Sequence, residues 1–196
     1  GFDFGRGWSF NSAHAELLHP RKAPLMALPV AWTPGSNGVI EADVVFVDAV
    51  TVAELEKYRG KIAGKIVLLS EPKEIGEPSS AIFERYSSDD LAKMKSLDLQ
   101  EPASHAHGTP DAIAQNRKQL AFREAVGAFL KQENAKAALY RSSRDGGLIR
   151  VFGHDHRVGK TFPVPALILS SEHYQLLQRF IEKGETPRIA LDIDAR

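Results

Sequence analysis

Tyr58-Arg59-Gly60-Lys61-Ile62-Ala63-Gly64-Lys65-Ile66-Val67-Leu68-Leu69 decides the fold class. Thr51 to Tyr58 reads as one or two helical turns, with Lys57 and Arg59 at the C-terminal end and Gly60 as the stop. Gly64 turns the chain into Lys65 to Leu69, a strand apolar on both faces, which belongs inside a covered sheet. Upstream, Pro34-Gly35-Ser36-Asn37-Gly38 is a turn signal, followed by a second central strand, Val39 to Asp48, built on Val44-Val45-Phe46-Val47. Downstream, Arg117 to Glu133 predicts a helix, because Phe122, Ala125, Val126, Phe129 and Leu130 share one face. Strands follow at Ala137 to Tyr140 and Pro165 to Leu169. Ser170 or Ser171 caps a last helix with Tyr174, Leu177, Phe180 and Ile181 as its stripe and Gly184 beyond its end, and Arg188 to Ile193 closes the chain as a strand. Strands and helices interleave, so the expected fold class is α/β.

Three stretches are read differently. Gly1 to Pro29 shows no sustained periodicity and is expected to be an irregular lead-in, with at most a short strand near Leu25 to Leu28. From about 73 to 116 the chain is polar and punctuated by prolines, and reads as a surface insertion. Its one helix, about Ser88 to Leu97, is opened by a capping box of Ser87 and Asp90. Asp145-Gly146-Gly147 is a hairpin signal, and Leu148 to Phe152 alternates as a strand should. The resulting division is a lead-in over 1–28 and a domain over 29–195.

Composition narrows the function classes. The chain has 196 residues, 43% of them apolar, enough for one large domain with its own core. Lys and Arg number 25 and so do Asp and Glu, so no basic field exists to hold nucleic acid by counterion release. Apolar runs reach only four to five residues, too short to span a membrane as a helix. Cysteine is absent, which removes disulfides, thiolate metal ligands and cysteine nucleophiles. The chain opens on Gly1 without a signal-peptide pattern and is expected to be a mature or excised fragment.

The chemistry-bearing residues form no catalytic constellation. His105-Ala106-His107 and His154-Asp155-His156 could each offer two imidazoles to zinc, but both lie in loops and lack a third ligand at fixed spacing. They are expected to be solvated loop histidines whose replacement costs little. Gly153 to Thr161 looks like a phosphate loop, but holds five residues between its glycines where four are needed. Phe162-Pro163-Val164-Pro165 follows where a helix would have to start. Asp89-Asp90 is accounted for by a helix N-terminus. Trp8 and Trp32 could mark a contact surface, though packing of the lead-in onto the domain explains them better. No catalytic, cofactor-binding or metal-binding residue is therefore assigned.

Several blocks carry a family resemblance. Gly7-Trp8-Ser9-Phe10, Leu28-Pro29-Val30-Ala31-Trp32-Thr33-Pro34-Gly35, Tyr58 to Leu69, Arg85-Tyr86-Ser87-Ser88-Asp89-Asp90-Leu91, Ala137-Ala138-Leu139 and Pro165 to Tyr174 occur in this order. Together they resemble the protease-associated domain of bacterial di-zinc exopeptidases, near the plasma glutamate carboxypeptidase branch of the aminopeptidase class. The resemblance spans nearly the whole chain. It implies an open β-barrel or sandwich flanked by helices, a non-catalytic role in substrate access or in peptide and protein contacts, and a secreted or periplasmic parent. The expected partners are a host peptidase domain, from which 1–28 would lead in, and a peptide or protein substrate, with neither nucleic acid nor membrane. Zinc is expected in the parent peptidase domain and no cofactor in this chain. That family's metal centre uses His-x-Asp, Asp-Asn and Glu-Glu segments, and this chain has none of them. The alternatives are an independent protein- or peptide-binding module and a metal-dependent hydrolase using the His-x-His loops.

Overall fold

A computed structural model describes residues 4–69, 76, 85–94 and 110–196. The chain divides into two compact units, Gly1–Ile75 with Phe122–Arg196, and Gly76–Ala121. The first contains an eight-stranded mixed sheet. Its strands are β1 (Phe10–His19), β2 (Ala23–Pro24), β3 (Ala27–Pro29), β4 (Ile40–Phe46), β5 (Ile66–Leu68), β6 (Ala137–Arg141), β7 (Ala166–Leu169) and β8 (Arg188–Ala195), in the order β2-β1-β8-β4-β5-β6-β7-β3. β4 to β7 run parallel, and the remaining pairings are antiparallel. The helices are α1 (Val52–Leu55), continued by a 3-10 turn over Glu56–Tyr58, α2 (Ser88–Met94), α3 (Pro110–Gln132) and α4 (Ser171–Glu182). The α/β class expected from the sequence is the one observed.

The parallel strands are apolar throughout because both of their faces are buried. Ile66 and Leu68, Ala137 and Leu139, and Leu167 and Leu169 point into one core, while Val67, Ala138, Ala166 and Ile168 point into the other. The first core draws residues from all eight strands and is capped by Tyr174 and Leu177 of α4. The second is covered by Leu55 of α1 and by Val126, Phe129 and Leu130 of α3. β2 and β3 occupy opposite ends of the strand order yet are separated only by Leu25 and Met26, so the sheet curls.

The glycine block performs the turns read from it. Gly60 and Gly64 sit at φ 75° and 69°, in the left-handed region. The buried Glu133 carboxylate accepts the Gly60 N–H and pairs with Arg59 at 3.3 Å, which ties the end of α3 to this turn. α2 opens on the capping box of Ser87 and Asp90: the carboxylate accepts from Ser87 N and Oγ, and Ser87 Oγ accepts from Asp90 N. These bonds hold the Asp90 carboxyl below its usual range.

Three expectations are corrected. The lead-in is not irregular: β1 is a ten-residue strand, and 10–29 contributes three strands to the sheet. α3 begins at Pro110 rather than Arg117, since proline in the first turn lacks only an N–H that would be unpaired anyway. Leu148 to Phe152 joins no strand ladder. The Gly146 and Gly147 amides donate to Glu172 Oε1 in α4, at 2.8 and 3.0 Å, instead of closing a hairpin. Leu97 and parts of the 73–116 insertion lie outside the described residues.

Phe129 and Leu177 are the centres of the two helix stripes, at 6% and 0% exposure. Replacing either by Ala is expected to cost about 2–5 kcal/mol in denaturant unfolding. A loss below about 1 kcal/mol for both would mean that the helices do not cap the two cores as described.

Candidate functional site

Of the residues that the sequence puts forward, Trp8, Trp32 and the His154–His156 loop meet along the segment before β1. Trp32 follows β3 and adopts φ 60°, unusual for a residue with a side chain. Its ring lies directly over Gly153, where any Cβ would run into it. Trp32 Nε1 donates to the Arg6 carbonyl at 3.0 Å, and Trp8 Nε1 donates to the Thr33 carbonyl at 3.1 Å. The two indoles thus clamp two backbone segments reciprocally. Arg6 N donates to His156 O at 3.1 Å, which brings the histidine loop into the same junction. Ser9 and Arg196 exchange two backbone hydrogen bonds, each of 2.9 Å, so residues 9 and 196 are neighbours.

The two histidines of this loop enter different aromatic groups. The His154 ring stacks on Phe162 at 3.8 Å and 8°, with Phe152 and Tyr140 at its edges, and Tyr140 Oη lies 3.4 Å from Nε2. Burial, assisted by the Arg123 charge, pushes its pKa down to about 4. Burial also keeps the Tyr140 hydroxyl protonated well above the usual range. His156 stacks on Phe4 at 4.8 Å and lies 5.5 Å from Trp32. Neither is a solvated loop residue, which corrects the expectation: both rings are half-buried because aromatic faces are available to them. Between them, Asp155 accepts from Arg157 N and Nε at 3.0 and 2.9 Å, which holds its carboxyl low.

Such an arrangement does not suit zinc. A zinc site needs its ligands converged on one point, whereas these rings are in separate stacks and the carboxylate is committed to Arg157. Among the described residues, no group of three or more His, Asp or Glu is placed to hold a metal ion. His105 and His107 lie outside the described residues. The phosphate-loop look-alike opens no helix, and three of its amides are already engaged: His154 N donates to Ala31 O, Arg157 N to Asp155 Oδ1 and Lys160 N to Arg157 O.

A second group was not visible in the sequence. The first turn of α4 is a hub for three segments. Ser170 caps it by accepting from His173 N, Ser171 Oγ is bound to the Ser142 and Arg144 carbonyls, and Glu172 holds the Gly146–Gly147 turn. His173 Nδ1 accepts the Met26 N–H at 2.7 Å, and Ser170 N donates to Met26 O at 3.0 Å. Ser171 and His173 face different partners, so the Ser-Ser-Glu-His run is a structural staple without nucleophile geometry. Only the helix-capping serine and the first-turn acid could have signalled it.

No protein-family model matches the chain, and no curated protein matches it. Solved structures do share its fold. A peptidase M28 precursor from Shewanella amazonensis is similar at TM-score 0.62 and 15% identity, over 97% of this chain and 36% of that one. An aminopeptidase from Aneurinibacillus sp. strain AM-1 is similar at TM-score 0.53 and 13% identity, over 97% and 32%. The zinc aminopeptidase from Bacillus subtilis follows at TM-score 0.50 and 9% identity, over 96% and 32%. The chain therefore has the fold of a segment carried within these three peptidases, and spans about a third of their length.

The half-buried His154 makes stability depend on pH. Its pKa is about 4 folded against 6.5 when unperturbed, so the unfolded chain binds the proton first. The stability gained from neutral His154 is complete above pH 6.5 and is lost as pH falls toward 4. Denaturant midpoints measured across this window are expected to fall less steeply for His154→Phe than for the unaltered chain. Parallel profiles would contradict the buried, neutral ring.

Proposed function

We propose that the chain is a protease-associated accessory domain of a secreted or periplasmic zinc exopeptidase, non-catalytic in itself. In this reading it restricts which peptides reach the peptidase cleft, and the parent's peptidase domain holds the zinc. The observation that carries the reading is the hydrogen-bonded pair of Ser9 and Arg196. A domain set into a host must leave and rejoin it at neighbouring points, and this pair supplies them. The shared fold supports it, because it covers nearly all of this chain and about a third of each peptidase. The dispersed histidines support a non-catalytic role, since peptide hydrolysis by zinc needs three protein ligands, an open position for water and a base. Among the described residues no helix is long and apolar enough to cross a membrane.

The test compares the longer polypeptide intact with a form in which a short flexible linker joins Ser9 to Arg196 directly. Removal of the domain is expected to change the ranking of kcat/KM across peptides of different length more than the rate on the smallest chromogenic amide. A domain that gates by access is barely felt by a small substrate. If both forms fold, bind zinc and rank the peptides identically, the independent binding-module reading replaces this one. The isolated chain is expected to hydrolyse no peptide with or without added zinc. Zinc-dependent turnover by it would establish the hydrolase reading.

A further inference from the structure

Leu148-Ile149-Arg150-Val151-Phe152 has the composition and alternation of a strand, yet it joins no strand ladder of the molecule. Its backbone is nonetheless held along one side. The buried Ser142 Oγ donates to Leu148 O at 2.8 Å and accepts from Arg150 N at 3.1 Å. Two residues further on, Ala31 N donates to Phe152 O and His154 N donates to Ala31 O, in a parallel bridge between Ala31 and Gly153. Where backbone is extended, the carbonyl of one residue and the amide two residues later point the same way, so Leu148 O and Arg150 N share one side, as do Phe152 O and His154 N. The backbone groups of Ile149 and Val151 alternate with these anchored positions. They have no hydrogen-bond partner among the described residues.

That free edge has a chemical character. Leu148 and Val151 are 58% and 57% exposed, while Ile149 and Phe152 anchor the segment against the second core. Arg144 and Arg150 are exposed and have no carboxylate partner among the described residues. The neighbouring cations are engaged: Arg141 with Asp145, Arg157 with Asp155 and Lys160 with Glu124. A second copy of this chain pairing antiparallel about this edge would set Arg150 opposite Arg150, and like charges directly opposite are destabilising. A carboxylate opposite Arg150 is favourable.

We propose that residues 148–152 form an open strand edge that binds an extended acidic peptide by β-augmentation. Ile149 and Val151 supply the backbone hydrogen bonds, Leu148 and Val151 flank them with apolar surface, and Arg150 with Arg144 selects carboxylate side chains. This site belongs to the chain itself and holds whether or not the chain sits within a peptidase.

The test titrates a fluorescently labelled peptide alternating glutamate and valine with the full chain, and uses a lysine–valine peptide as the comparison. The acidic peptide is expected to bind, to weaken as salt rises, and to slow hydrogen exchange at the Ile149 and Val151 amides. Val151→Pro, which removes one of those amides, is expected to weaken binding about tenfold, the worth of one hydrogen bond. Arg150→Glu is expected to invert the preference toward the lysine peptide, and it remains decisive if the proline variant does not fold. No binding of the acidic peptide, or binding without protection of the two amides, overturns the proposal. So does concentration-dependent protection of these amides without peptide, which would assign the edge to a second copy of the chain.

Discussion

Two residues, Leu25 and Met26, carry the chain from one edge of the sheet to the other, and the rest of the molecule accommodates that step. Seven spacings of about 4.8 Å would set the outer strands of a flat eight-stranded sheet roughly 34 Å apart. The chain from Pro24 to Ala27 reaches about 11 Å at most. The sheet must therefore curl until β2 and β3 are near neighbours. Its concave side is the core fed by all eight strands, with Leu25 itself buried in it. Small residues take many of the inward positions: Ala13, Ala15, Ala23, Ala27, Ala42 and Ala137 all belong to or pack on that core. A narrowing interior has little room for larger ones.

The curl also fixes where α4 sits and what its first turn does. Tyr174 and Leu177 fill the open side of the concave core, which brings Ser170 and His173 against Met26. Ser171 and Glu172 meanwhile hold 142–147 in place. That anchorage turns Leu148 to Phe152 away from the ladder, and the backbone groups of Ile149 and Val151 have no partner among the described residues. On the far flank, the antiparallel pairing of β1 with β8 runs out at residues 9 and 196, and the Trp8–Trp32 clamp keeps the preceding segment on the same surface. The proximity of residues 9 and 196 is a consequence of strand order, because β1 and β8 are neighbours in the sheet.

The legible parts of the sequence were those with two buried faces or a full amphipathic turn. Ile66 to Leu68, Ala166 to Leu169 and the stripe of α4 each repeat apolar residues at a period that only one structure uses. β1 is not legible because its inward residues Ala13 and Ala15 are too small to mark a face, and polar residues such as His14 and Glu16 alternate with them. Leu148 to Phe152 has the local pattern of a strand, but a ladder needs a partner, and anchorage by Ser142 and Glu172 holds the segment away from one. The histidine loop was legible as a loop. Its burial was not, because Phe4, Trp32 and Tyr140 are brought to it only by the fold, even though Phe162 follows directly in the chain.

The proposed insertion requires residues 9 and 196 to be neighbours, which the antiparallel pairing of β1 with β8 provides. Ser9 and Arg196 form a hydrogen-bonded antiparallel pair, with Cα atoms expected about 5.5 Å apart. The chain has no cysteine, so Ser9→Cys with Arg196→Cys creates the only two labelling sites in it. Nitroxides attached at both are predicted to broaden each other's electron paramagnetic resonance spectrum in the folded chain, and to lose that broadening in denaturant. Spectra of the folded, doubly labelled chain that match the sum of the two single labels would contradict the closure and the insertion reading built on it.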